Sequence, residues 1–123
     1  MTVAYWCVLV AGIMPVVLAG VAKSRGDFDN RAPREWLAAL EGWRRRANAA
    51  QNNSWEAFAP FAAAVIIAHI AGARQGMIDT LALAFVACRI VYAVLYITDR
   101  ASLRSVAWIA GYGCVIGLFI AAA

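Results

Sequence analysis

Four apolar runs, each close to the length of a bilayer crossing, take up most of this chain: Val3 to Ala22, Ala57 to Ala73, Met77 to Thr98 and Ser105 to Ala123. A helix needs about 20 apolar residues to span the hydrocarbon layer. In 123 residues, about four such helices leave no room for a separate soluble catalytic domain. Any chemistry must sit within the membrane segments or at their ends. Composition agrees: 64% of residues are hydrophobic and 15% charged, where soluble domains carry about 45–50% and about 25%. That excludes an ordinary cytosolic domain and a disordered chain. The expected architecture is all-α, one integral membrane domain over residues 1–123, with spans at about 3–22, 53–73, 77–98 and 105–123.

Connections set the topology. Lys23 to Arg46 is the long polar stretch and holds seven of the eleven basic residues with four acids. Gly72-Ala73-Arg74-Gln75-Gly76 and Asp99 to Arg104 are short. Short connections force an antiparallel four-helix bundle, up-down-up-down. The first and third connections hold nine basic residues and the second holds Arg74 alone. The positive-inside rule then puts loop 23–46 and residues 99–104 in the cytoplasm and both termini on the other side. No basic residue precedes Val3, while Lys23 and Arg25 follow the run, so the first span reads as uncleaved and not as a signal peptide. With the charge placed at the ends of apolar runs, the net +4 reflects topology and not nucleic-acid binding. Within loop 23–46, Asn30-Arg31-Ala32-Pro33 predicts a helix start. Trp36, Leu37, Leu40 and Trp43 recur at helical spacing, which suits a short helix at the headgroup level. Gly42 is a natural break between that helix and the second span.

Arg89 needs an explanation, because an arginine near mid-span costs about 2.5–3.5 kcal/mol on insertion scales. Tyr92, Tyr96 and Asp99 follow it on one stripe at 100° per residue. The plainer reading has Arg89 paired with Glu56 or a backbone carbonyl, simply holding helices together. Asn48, Asn52 and Glu56 share one face of the second helix, and Arg46 and Asn53 share another. Gln51 points away from both Arg46 and Glu56. One site in a monomer does not readily use all of them, whereas a site shared between two copies does. His69 has no partner at metal-ligand spacing and reads as a packing residue. Asp79 suits the positive end of the third span as its cap.

Several chemistries are excluded. The chain has no G-x-S-x-G, H-E-x-x-H or C-x-x-C motif and no glycine-rich phosphate loop. A single histidine leaves no His-based triad, and no metal site is expected. The odd set Cys7, Cys88 and Cys114 has no paired spacing and reads as apolar packing residues, not as activated nucleophiles. An enzyme built this way takes its nucleophile from a cosubstrate.

Three blocks resemble one family. Arg46, then Ala50-Gln51-Asn52-Asn53-Ser54-Trp55-Glu56 and Pro60-Phe61, resembles the second-helix motif of the MAPEG family, the membrane-associated proteins in eicosanoid and glutathione metabolism. Arg89-Ile90-Val91-Tyr92 with Tyr96 and Arg104 is similar to its third helix and the basic residue that follows. Gly111-Tyr112-Gly113 is similar to the fourth helix of the microsomal transferases. The resemblance implies a homotrimer, in a bacterial-type member the inner cell membrane, with glutathione bound between subunits. It implies glutathione contacts from Arg46, Gln51, Asn53, Glu56, Arg89, Tyr92 and Tyr96, and Arg104 as the stabiliser of the glutathione thiolate. Two positions depart from the family pattern: Ala49 and Ala57 stand where some members carry arginine and tyrosine, with Arg44 and Arg45 as candidate substitutes.

The chemistry is coherent with those residues. Arginines suit the two glutathione carboxylates, and Glu56 suits the ammonium. A free thiol titrates near ~8.5, so a guanidinium that lowers it by ~2 units contributes ~2.7 kcal/mol. The implied activity is a glutathione transferase or glutathione-dependent peroxidase acting on hydrophobic electrophiles or lipid hydroperoxides. The alternative is a non-catalytic lipid-binding or regulatory membrane protein. A small multidrug exporter needs a buried carboxylate in the first span, and Val3 to Ala22 has none.

Overall fold

A computed structural model describes residues 1–123. It is all-helical, in the order α1 (Val3–Ala22), α2 (Pro33–Ala38), α3 (Gly42–Ile70), α4 (Gln75–Ile97) and α5 (Ala101–Ala122). Three helices, α1, α4 and α5, are long and apolar enough to cross a membrane. Only 25 of the 123 residues are buried, and apolar side chains such as Val16, Ile109 and Ile120 lie on the outside. In water that outer surface would be a liability; against lipid it is the expected solvent-facing side.

Each helix end has a local cause. The Thr2 hydroxyl accepts the Tyr5 N–H at 3.3 Å, as an N-cap does. Asp79 behaves differently from the sequence expectation. The N-cap of α4 is Arg74, and the Asp79 carboxylate instead accepts the Ala4 N–H at 2.9 Å and the Gln75 side-chain amide at 2.8 Å. A carboxylate five residues into α4 is too late to cap it, but reaches an orphan N–H of α1 across the interface. Pro33 opens α2, where its missing N–H costs nothing. That helix stops at Ala38, so Leu40 and Trp43 are not on it. Gly42, the first residue of α3, takes φ +61°, a conformation that suits glycine.

The polar approach to the second apolar run is itself helical. α3 runs unbroken from Gly42 to Ile70, so the long connection ends at Glu41 and the segment 44–56 is the first half of a 29-residue helix. The third connection is also shorter than expected. α4 ends at Ile97, Asp99 turns with φ +62°, and α5 starts at Ala101. Arg104 thus lies in the first turn of α5, its N–H bonded to the Arg100 carbonyl at 2.9 Å.

The core is packed from small residues and two rings. Phe61 and Phe85 stack at 3.9 Å between centroids, 11° from parallel. Ala4, Ala64, Ala68 and Ala82 surround them with Val65, Ile78 and Leu118. Small side chains let helix backbones approach closely, the usual basis of helix association in lipid. His69 holds the far end of this core as a packing residue. It stacks on Tyr5 at 4.2 Å, donates from Nδ1 to the Val65 carbonyl and meets the Thr2 hydroxyl at 3.1 Å.

Candidate functional site

At the opposite end of the bundle, polar side chains of α3, α4 and α5 converge. Arg89 is 4% exposed, and its cost is met by side chains of α3. One Nη donates to Asn53 Oδ1 at 2.9 Å and to Ser54 Oγ at 3.4 Å. Ser54 in turn donates to the Ala50 carbonyl at 2.8 Å. The guanidinium also lies over the Tyr92 ring at 4.2 Å. Neither Glu56 nor a backbone carbonyl is its hydrogen-bond partner; Glu56 is exposed and accepts from the Asn53 amide at 3.2 Å. Asn53 therefore bridges a buried cation and an exposed carboxylate.

Above this base is a cavity of about 300 Å³ lined by Asn53, Tyr92, Tyr96, Arg104, Ser105, Trp108 and Ile109. Tyr92 and Tyr96 meet edge to face at 5.7 Å. The Arg104 guanidinium stacks on Tyr96 at 4.1 Å. Trp108 and Tyr112 stack one turn apart on α5, 5.3 Å between centroids. The cavity thus offers one cation, two phenols, an amide and a hydroxyl beside an aromatic wall. An arginine held on a ring face keeps its in-plane N–H groups free to bond an anion.

Of the eight residues singled out from sequence, four line this cavity: Asn53, Tyr92, Tyr96 and Arg104. Arg89 lies beneath it. Arg46 is directed elsewhere, donating from Nε to the Ile97 carbonyl at 3.0 Å, where it closes the C-terminal end of α4. Gln51 faces away, as its helical angle requires. It lines a separate cavity of about 450 Å³ with Arg34, Leu37, Ala38, Asn48, Asn52 and Trp55. Its Oε1 is buried there without a hydrogen-bond partner. Asp99 leaves the stripe, since α4 ends before it and it is exposed. Ser105 and Trp108 were missed from sequence. With the start of α5 put at Ser105, nothing marked its first turns as facing α4.

Arg44 is not a spare cation for the missing arginine at position 49. It grips Asp27 with two bonds of 3.0 and 2.7 Å and donates from Nε to the Ala22 carbonyl at 2.8 Å. It also lies over Trp36 at 5.2 Å. One side chain thereby ties the end of α1, the connecting loop and α2 to the base of α3. The hydrogen bonds from Arg44 hold the Asp27 carboxyl below its ordinary range. Arg45 is exposed and without such a bond, so it is the remaining candidate of the pair.

Cys7, Cys88 and Cys114 are all free thiols, the first buried and the other two half-buried. Cys7 belongs to the apolar core and Cys114 packs against it, in keeping with their reading as packing residues.

No curated protein and no solved structure matches this chain. A family model does: residues 3–123 match that of the MAPEG family, essentially the whole chain.

Proposed function

This chain belongs to the MAPEG family, and on that premise we propose that it is a membrane-bound glutathione transferase or glutathione-dependent peroxidase for hydrophobic electrophiles or lipid hydroperoxides. Membership and the three apolar helices make it an integral membrane protein. In the proposed arrangement the apolar half of α3 is the fourth crossing of an antiparallel bundle, and three copies form a homotrimer in a bacterial inner membrane. The connection between α1 and α3 and the turn at Asp99 face the cytoplasm, with both termini opposite.

The observation that carries this reading is Arg104, stacked on Tyr96 at the wall of a polar cavity that opens beside exposed apolar helix faces. A guanidinium in that position favours a thiolate over a thiol. The thiolate then attacks an electrophilic carbon, or the peroxide oxygen of a hydroperoxide, delivered from the lipid side along Trp108 and Ile109. Glutathione lies with its cysteine toward Arg104 and Tyr92, and with its ammonium on Glu56. Asn53 fixes its backbone, with Arg89 below holding the Asn53 amide in place. Gln51 acts from the neighbouring copy, its unpaired Oε1 receiving a donor that its own chain does not supply. Arg46 contributes one edge of its guanidinium while Nε stays on Ile97.

Glutathione binding by calorimetry on detergent-purified protein, followed by conjugation and peroxide-reduction assays, tests the proposal. Saturable binding that is lost with Asn53 and Tyr96 substitutions supports it. Lipid binding with no glutathione response turns the reading to a non-catalytic lipid-binding member of the family.

A further inference from the structure

A groove runs along the outside of the molecule between α1 and α4. The two helices are parallel. The Ala4 N–H near the start of α1 bonds Asp79 near the start of α4, and Leu18 clusters with Ala93 and Ile97 near their ends. The groove has a volume of about 320 Å³, and all nine residues that line it are hydrophobic. Leu18 and Ala93 form its buried floor. Val10, Ile13 and Val17 of α1 and Ile90, Val94 and Ile97 of α4 form its walls. All six wall residues are β-branched and so stiff at χ1, which fixes the shape of the groove. Tyr92 and Tyr96, on another face of α4, line the polar cavity, so the groove is separate from it.

Its dimensions suit a single extended chain. From Val10 to Leu18 the rise is ~12 Å, close to the ~15 Å that one leaflet contributes to a hydrocarbon core about 30 Å thick. The groove opens at the C-terminal ends of both helices and stops near their middles. A helix suits it poorly. Helices associate in lipid where small residues let two backbones approach, and the branched walls hold a second backbone away. The mouth is positive. Lys23 and Arg25 follow α1, Arg100 follows α4, and Arg46 is bonded to the Ile97 carbonyl. None of the four has a salt bridge, since the ion pairs are Arg31 with Asp29 and Arg44 with Asp27. At the end of α4 one carboxylate, Asp99, stands beside these cations, while Glu35 lies on α2 and Glu41 precedes α3.

We propose that this groove binds an anionic phospholipid of the phosphatidylglycerol type. One acyl chain lies between α1 and α4, and the headgroup phosphate stands among the cations at the mouth. The chain fills the gap that the branched walls leave over Leu18 and Ala93, and so ties α1 to α4. The headgroup selects by charge, because a phosphate near several unpaired cations is favoured over a neutral headgroup. This site stands apart from the glutathione reading, since Arg46 contributes only its charge here.

The experiment takes the full chain in detergent with phosphatidylglycerol that carries a diazirine midway along one acyl chain. Irradiation and peptide mass mapping read where the chain lies. Saturable label is expected within Val10–Leu18 and Ile90–Ile97. Unlabelled phosphatidylglycerol should displace it about 10-fold more effectively than phosphatidylcholine with the same chains, as two nearby cations require. Val17→Trp and Val94→Trp, which fill the groove from its exposed walls, should each lose the label. Replacing Arg25 and Arg100 together by Ser should keep the label and narrow the preference for phosphatidylglycerol. Label spread evenly over the apolar helices overturns the proposal, as does equal displacement by the two phospholipids. Oleate that displaces as well as phosphatidylglycerol also overturns it, and assigns the groove to a free fatty acid. A groove left unlabelled because a second copy covers it is equally decisive against it. The wild-type labelling and its competition decide the matter even if a variant fails to fold.

Discussion

The Arg104 guanidinium lies 4.1 Å above the centre of the Tyr96 ring, and that contact sets the first expectation. A helix-end anchor tolerates replacement, whereas a thiolate stabiliser acts on the reactive form of the cosubstrate. Arg104→Ser is expected to leave the assembly intact and to lower turnover at neutral pH by ~10²-fold, the kinetic equivalent of ~2.7 kcal/mol. Raising the pH restores part of the loss, because more glutathione ionises unaided. Arg100→Ser does much less, since Arg100 lies exposed outside α5. Equal pH–rate profiles for Arg104→Ser and the parent from pH 6 to 9 would remove Arg104 from the mechanism.

Arg89 and Asn53 form a second test. Replacing Arg89 by Leu takes from Asn53 Oδ1 its donor, at about 1–3 kcal/mol for a desolvated group left unpaired, while Ser54 keeps its bond to the Ala50 carbonyl. The expected result is a lower melting temperature in detergent together with weaker glutathione binding. Full stability with unchanged binding would mean that Asn53 does not depend on Arg89 for its position.

The opposed faces of Gln51 and Asn53 predict complementation between subunits. Gln51→Ala and Asn53→Ala are each expected to weaken glutathione binding roughly 10-fold, from one lost hydrogen bond to a charged group. Co-assembled mixtures of the two variants regain part of the binding, because some interfaces then pair an intact Gln51 with an intact Asn53. Mixtures no better than either variant alone would place both residues in one subunit's site, or Gln51 in none.

Acid dependence follows from Asp27. Its carboxyl titrates below the ordinary range, first because Arg44 hydrogen-bonds the ionised form. A depressed carboxylate stabilises the fold above the unfolded value of about 3.9. That contribution is lost as pH falls through the lower, folded value. Wild-type melting temperature should therefore drop more between pH 5 and pH 3 than that of Asp27→Asn, which begins lower and is flatter. Parallel curves would show that the Arg44 clamp adds nothing to stability.

Topology is checked by reporter fusions. Fusions within residues 24–32 and at Arg100 should report a cytoplasmic location and those at either terminus the opposite. A cytoplasmic C-terminus would invert the orientation while leaving the helices as they are.

The membrane character of this chain and most of its helices were legible from runs of apolar residues, because spanning lipid demands length and hydrophobicity, both of which are local quantities. The family blocks around Asn53, Tyr92 and Arg104 were legible for a similar reason: residues on one helix face recur at fixed spacing. What lay beyond reach was every contact that depends on how one helix is set against another. Asp79 looked like a cap for its own helix and instead caps α1, because the distance from Asp79 to Ala4 is created by packing. Arg44 looked like a spare binding cation and is committed to Asp27 and Ala22. Arg89 is partnered by Asn53 and Ser54 because of the register between α3 and α4. The contact of Gly111 with Cys88 across α4 and α5 likewise exists only once the two helices pack. Periodicity determines which side of a helix a residue occupies; only the tertiary structure decides what stands opposite, because inter-helix register comes from close packing and not from any single segment.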